Sequence, residues 1–275
     1  MKTCIQSLSI IRLTAILLGA ALINSAGVEA LQAFDQSHAQ YDNVLKTFVA
    51  DGRVNYSGLK NAPKALEVYL ESAAGVPEEQ FNAWTESQRL AFLINLYNAG
   101  TLKLIVDHYP VKSIKDIGSF IKGPWDQPAV KLFAKTITLN HLEHDILRKQ
   151  FSEPRIHMAL VCAAKGCPPL RSEVYLAETL DGQLNDQSRG YLTSPAGLSI
   201  DREKKIAYFS SIFKWYGEDF ITRYSPKAGF TGLDKTERAV AKFCSAYIVS
   251  ANSDFLSAGG YAFKYLDYDW SLNGK

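Results

Sequence analysis

The chain has 275 residues, 30 Lys+Arg against 28 Asp+Glu, a formal net charge of +2 and four cysteines. A balance so close to neutral, with no basic stripe and no acidic tail, argues against nucleic acid as a partner. The length is ample for one large domain with a proper core.

Residues 1–30 read as a removable export signal. Lys2 and Arg12 lie in a charged leader, Leu13 to Ile23 supply a short apolar core, and Val28-Glu29-Ala30 resembles a small-x-small cleavage pattern. The apolar run is too short for a membrane span and no lipobox cysteine follows it, so neither an integral segment nor a lipid anchor is expected after signal removal. Loss of Lys2, Arg12 and Glu29 leaves 28 basic against 27 acidic residues in a single domain, residues 31–275, periplasmic or secreted. Cys162, Cys167 and Cys244 remain. An odd number in an oxidising compartment leaves at least one thiol unpaired or bonded to another molecule.

Mixed three and four spacing of Phe34, Tyr41, Val44, Leu45, Phe48 and Val49 predicts a first helix over 34–50, stopped by Asp51-Gly52. Val54 to Tyr56 reads as a short extended link. A second helix spans Pro63 to Ser72, with proline in its first turn. Thr85 and Gln88 have capping-box spacing and open the longest helix, which ends at His108-Tyr109 before Pro110. This helix is apolar nearly all round, so it is buried, and it carries Asn95 and Asn98. These asparagines either tie the helix to neighbouring backbone or line a pocket and orient a catalytic side chain.

Ser113 to Phe120 predict a helical turn, and Trp125 to Thr138 a hairpin. Thr138 to Arg148 predict a helix whose apolar stripe, Leu139, Leu142, Ile146 and Leu147, is interrupted by Glu143. A buried carboxylate needs a cationic or multi-donor partner, with Arg148, Arg155, Arg171 and His157 as candidates. Arg155 to Cys162 read as a central strand, with Arg155, His157, Ala159 and Val161 on one face and apolar residues on the other. Leu180, Leu184 and Tyr191 suggest a helix broken by Gly190. Residues 197–201 and 206–210 alternate as a β-hairpin. Phe213 to Tyr224 are helical, and Asp234 and Glu237 cap a helix running to about Ser250. Tyr261 to Trp270 form an aromatic strand. The mixture predicts an α+β domain, several helices on a small, mostly antiparallel sheet.

Cys167 precedes Pro168-Pro169 and is placed to be a helix N-cap, its thiolate facing the helix terminus and paired with His157. A Cys162–Cys167 disulfide and a pair of inert buried thiols stand as alternatives. His141 and His144 have a usable metal-ligand spacing, but Leu142 and Glu143 occupy the inward stripe, so no metal is expected and no cofactor is called for. Phosphate loops, Ser-His-Asp signatures and His-Glu-x-x-His are absent from the sequence.

Six ordered motifs resemble the domain-of-unknown-function 547 family: Asp51 to Tyr56, Ala91 to Asn98, Leu142 to Arg148, Arg155 to Cys162, Gly166 to Arg171 and Tyr268 to Asn273. The family has Trp where this chain has Leu93. The resemblance implies that Asn95, Asn98, Glu143, Arg148, His157, Cys167 and Arg171 form a polar cluster. The Cys-His content is also similar to papain-like and transglutaminase-like thiol enzymes, although there the nucleophile starts a long helix that precedes the histidine strand.

The expectation is a Cys-His thiol hydrolase or acyl or amide transferase acting on a small molecule or peptide. Cys167 is the nucleophile and His157 the base, with Glu143 orienting His157 or neutralising Arg155. Asn95 or Asn98 positions the imidazole or donates to an oxyanion. The alternative is a binding module in which Glu143, His157, Arg148, Arg155 and Arg171 form a structural network or hold an anionic ligand.

Overall fold

The structure, a computed structural model, describes residues 33–119 and 121–275. The expected export signal and Cys4 lie outside those residues. Residues 33–275 form one compact unit. Its architecture is α+β, with helices predominating and small sheets between them.

Helix α1 (Ala39–Phe48) runs into strands β1 (Val49–Ala50) and β2 (Arg53–Val54), which pair antiparallel across Asp51-Gly52. Both turn residues have positive φ, 52° and 72°, as a two-residue hairpin requires. The turn therefore does more than stop the helix. A Cβ on Gly52 would lie 2.4 Å from Cβ of Pro169, so the hairpin tip presses directly on the Cys-Pro-Pro loop.

Helices α2 (Tyr56–Asn61), α3 (Lys64–Ala74) and α4 (Glu78–Ala83) lead to α5 (Glu86–His108). Thr85 and Gln88 form the expected capping box at its start. α5 is the one helix among the described residues long and apolar enough to cross a membrane by composition, and 89% of that stretch is buried inside the protein. It is the core helix.

Strands β3 (Pro128–Leu132) and β4 (Lys135–Thr138) form the expected hairpin. The following helix is π-helical over His141–Leu147 and closes with a short α6 (Arg148–Gln150). Leu142, Glu143 and Leu147 are its buried residues.

The expected strand over Arg155–Cys162 is a correction. Ile156–Ala159 form a one-turn helix, α7, and only the following residues are extended. A short run apolar on all sides does not distinguish strand from buried helix. Here it is apolar because two cores meet on it. Ile156 and Ala159 pack in a core around α1, α3 and α5, whereas Met158 packs in a second core around the C-terminal helices.

Helix α8 (Leu180–Leu192) continues through Gly190 unbroken. Strands β5 (Leu198–Asp201) and β6 (Ile206–Phe209) pair as expected, and β7 (Ala262–Tyr265) adds parallel to β6. Between them come α9 (Ser211–Tyr216), a 3₁₀ turn Gly217–Phe220, α10 (Ile221–Tyr224), α11 (Lys235–Ser245) with the expected Asp234–Glu237 capping box, and α12 (Ser250–Ala258). Finally, residues 269–275 lace back onto the core. Lys165 and Gly166 donate to Ser271 and Asp269, Asn273 donates to Ala163, and Val54 donates to Asn273.

Two outcomes follow from this packing. Gly52→Ala is expected to cost about 1–3 kcal/mol in urea unfolding, since it adds both a strained φ and a clash with Pro169. His38 is buried beside the Tyr69 hydroxyl at 2.9 Å, and burial pushes its imidazole down to about 4, opposed by Asp35. The unfolded chain therefore binds a proton below about pH 6.5 that the folded chain refuses until about pH 4. Stability should fall by up to about 3 kcal/mol as pH drops through that window. His38→Asn, which tolerates the left-handed φ of 50°, should flatten that part of the profile.

Candidate functional site

Several segments converge on a cavity of about 400 Å³ whose lining includes Glu143, His157, Cys162, Cys167, Trp215, Tyr268 and Trp270. At its floor lies Cys167, buried, with its Sγ accepting the backbone N–H of Cys162 at 2.9 Å. Ala163, between Cys162 and Ala164, has φ 59°, a left-handed conformation that costs a non-glycine residue on the order of 1 kcal/mol. That kink turns the Cys162 and Ala164 amides toward one sulfur. Burial pushes the Cys167 thiol up, but donation from the Cys162 thiol, the Tyr268 hydroxyl and the two amides outweighs it and holds the thiol below its usual value.

Cys162 is the complementary partner. Donation to Cys167 and burial hold its own thiol well above the usual value, and its Sγ lies 3.1 Å from the Tyr268 hydroxyl. Burial and the two sulfurs push the Tyr268 phenol far up, so it remains a donor. The C-terminal lacing brings Tyr268 here, and Gly166 permits it: a Cβ there would lie 3.1 Å from the Tyr268 ring.

Both sulfurs are free thiols, so the Cys162–Cys167 disulfide that stood as one alternative is not formed in this structure. Nor does a helix follow Cys167; it is held by a loop rather than acting as an N-cap. Its acidity comes from discrete donors.

His157 lies on α7 and lines the same cavity. Its Nε2 is 2.8 Å from Oδ2 of Asp219, and its ring stacks on Tyr216 at 4.2 Å with a 12° interplanar angle. Burial raises the Asp219 carboxyl, but His157 and Arg148 overcome this and hold it well below the carboxylate range. Arg148 reaches Asp219 through two nitrogens, at 2.7 and 2.9 Å. No hydrogen bond joins Cys167 to His157 among the described residues.

Glu143 is buried on the π-helical segment and accepts from the Tyr97 hydroxyl at 2.9 Å. Tyr216 also donates to it. Its partners are therefore phenols. It neither orients His157, which Asp219 does, nor neutralises Arg155, which Glu153 does at 2.5 Å.

The remaining expected site residues sort by geometry. Asn95 bonds the carbonyl and amide of Tyr175 at 2.8 and 3.0 Å. Asn98 bridges the Ala159 carbonyl at 3.0 Å and the Val161 amide at 2.9 Å. Both tie α5 to backbone, and neither serves the imidazole or an oxyanion. Arg155 is held by Glu153, Asp181 and Asn185, and Arg171 by Glu173 and Asp186. Neither lines the cavity, and with Arg148 spent on Asp219 the expected anion-binding arginines are occupied. His141 is exposed and paired with Asp145, whereas His144 lines the cavity and accepts from Arg148 at 2.9 Å. Among the described residues no group of three or more His, Cys, Asp or Glu is arranged to hold a metal ion.

Sequence reasoning missed Asp219, Tyr216 and Tyr97. Tyr97 sits between the two asparagines in a motif already singled out, so that motif carried a signal. Asp219 lies 62 residues from His157 in an unremarkable Gly-Glu-Asp run and carried none.

The fold and site define an α+β domain with a paired-thiol floor beneath an aromatic cavity. Residues 81–192 match the family model described as a protein of unknown function, DUF547. Four of the six motifs fall inside the match, but Tyr216, Asp219, Tyr268 and Trp270, which complete the site, lie beyond it. No curated protein and no solved structure matches the chain.

Asn98→Ala should orphan a buried amide and a buried carbonyl, at about 1–3 kcal/mol for each unsatisfied group. Urea unfolding is expected to register about 2–6 kcal/mol in total, against well under 1 kcal/mol for a side chain that merely faced the cavity.

Proposed function

We propose that this protein is a thiol-dependent acyl-transfer or hydrolytic enzyme with Cys167 as nucleophile and His157 as general acid–base group. The observation that carries this reading is the Cys167 sulfur, held by donors from Cys162, Ala164 and Tyr268 at the floor of an open cavity. A thiolate formed in this way needs no neighbouring base to create it. The absence of a direct Cys167–His157 bond is then compatible with His157 serving the leaving group across the cavity.

In such a reaction the sulfur attacks a carbonyl carbon and a C–S bond forms. The C–N or C–O bond breaks as His157 gives its proton to the departing amine or alcohol. Water, or an acceptor nucleophile, then attacks the thioester, gives its proton to His157 and restores the thiolate. Asp219 keeps Nε2 engaged and so directs Nδ1 as the imidazole's working atom. The likeness to papain-like and transglutaminase-like enzymes extends to these roles and not to chain order. The leader-like composition of residues 1–30 supports a periplasmic or secreted location for this activity.

A non-enzymatic binding module is the second reading, favoured by the missing Cys–His bond and by the saturated arginines. Iodoacetamide labelling of the folded protein from about pH 5 to about pH 9, with adducts mapped by mass spectrometry, separates the two. Cys167 is expected to label first, with a midpoint below the usual thiol value of about 8.5, while Cys162 lags and Cys244 stays unlabelled. A Cys167 with an unshifted midpoint, or one isolated bonded to Cys162, would overturn the enzyme reading.

A further inference from the structure

The cavity above Cys167 holds one feature that thiol chemistry does not use. Glu143 is 6% exposed, lines the cavity, and has no cationic partner within salt-bridge distance among the described residues. Its known donors are the neutral hydroxyls of Tyr97 and Tyr216. Burial and the Glu143 charge push both phenols up, so they remain protonated donors. A carboxylate taken out of water costs several kcal/mol unless its remaining lone pairs find donors, and two hydroxyls leave some of that capacity unmet. Arg148 lies close enough to feel the charge, but its guanidinium is engaged with Asp219.

The walls around this carboxylate are aromatic: Trp125, Trp215, Tyr216, Tyr268 and Trp270. One of them already carries a cation. The exposed Lys115 places its ammonium 3.7 Å from the centroid of the Trp270 ring. A buried anion at one side and π-faces at the others is the pairing that stabilises an organic cation, with the carboxylate taking N–H donors and the rings the remaining charge.

We infer that the cavity selects a substrate bearing a protonated amine or guanidinium, whose N–H groups donate to Glu143 while its stem packs against the tryptophans. This rests on the reading of the cavity as the ligand site. The cation would fix which carbonyl of a larger substrate meets Cys167, so binding at Glu143 and reaction at Cys167 are separable.

The test uses a series of similar shape, n-hexylammonium, n-hexanol and hexanoate, titrated into the full chain by calorimetry and tryptophan fluorescence. Three of the four tryptophans line the cavity, so fluorescence reads it directly. The ammonium is expected to bind at least about tenfold more tightly than either relative. Glu143→Gln should abolish that preference. Trp215→Leu, at a position that is 43% exposed, should weaken ammonium binding about threefold to tenfold. Hexanol or hexanoate binding as tightly as the ammonium, or a preference that survives Glu143→Gln, overturns the inference. Should Glu143→Gln not fold, the wild-type series and Trp215→Leu decide it.

Cys167→Ser separates the two proposals. An ammonium preference kept in that variant, with a wild-type Cys167 that labels with an unshifted midpoint, sinks the thiol enzyme and leaves the cation site standing. Loss of the preference in a wild type whose Cys167 is acidic does the reverse.

Discussion

The amide of Asn98 is the contact on which this site depends. It receives the Val161 amide and donates to the Ala159 carbonyl, pinning the segment that carries His157 and Cys162 to the buried helix α5. The same helix sends Asn95 to the Tyr175 backbone and Tyr97 to Glu143. Three side chains within one turn thus anchor three separate stretches of chain. A hydrogen bond contributes only about 0.5–1.5 kcal/mol net, but leaving its buried partner unmatched costs more, so these bonds act chiefly by excluding other registers. The apolar core would accept many small displacements of the 156–163 segment. The asparagine clasp accepts few.

Charge is partitioned around the cavity with the same economy. Arg148 serves Asp219, Arg155 serves Glu153, and Arg171 serves Glu173 and Asp186. Each is a pair whose desolvation is offset internally, which removes arginine from the list of groups free to greet an anion. Glu143 alone is left to phenols. A buried acid with neutral donors beside a thiol with a depressed pKa gives a cavity that is negative at its base. The one lysine of the lining, Lys115, sits against the Trp270 ring at 3.7 Å, so the cation preference inferred above concerns the Glu143 end of the cavity.

Much of this was readable from residue pattern. The capping boxes at Thr85 and Asp234, the hairpin around the Asp-Arg-Glu-Lys-Lys turn and the misplaced carboxylate at Glu143 all follow from local rules with short range. The segment 155–162 failed because periodicity cannot separate a strand from a one-turn helix wedged between two cores. Which partner each polar group takes is a matter of long-range geometry. His157 had three plausible carboxylate or asparagine partners in Glu143, Asn95 and Asn98, and it took Asp219 from a stretch, Phe213 to Tyr224, that local pattern read only as helical. Glu143 needed donors, and local reasoning sought cations, whereas tyrosines from α5 and α9 supplied them.

The local strain at Ala163 ties these strands of argument together. A left-handed alanine is tolerated because its carbonyl is taken by Asn273, while its neighbours on either side are fixed by Cys167 and by Leu272. Without the kink, the Cys162 and Ala164 amides would turn away from the sulfur, and only the Cys162 thiol and the Tyr268 hydroxyl would oppose the upward push of burial on Cys167. The left-handed backbone at Ala163 costs about 1 kcal/mol, and what it does for the site is to orient two amide donors toward one sulfur. It also explains why segments so distant in sequence must meet here. The hairpin tip at Gly52 seats Pro169, the tail from Asp269 to Asn273 holds 163–166, and Asn98 holds 159–161. Each holds a different part of the stretch 159–169 that carries Cys162 and Cys167.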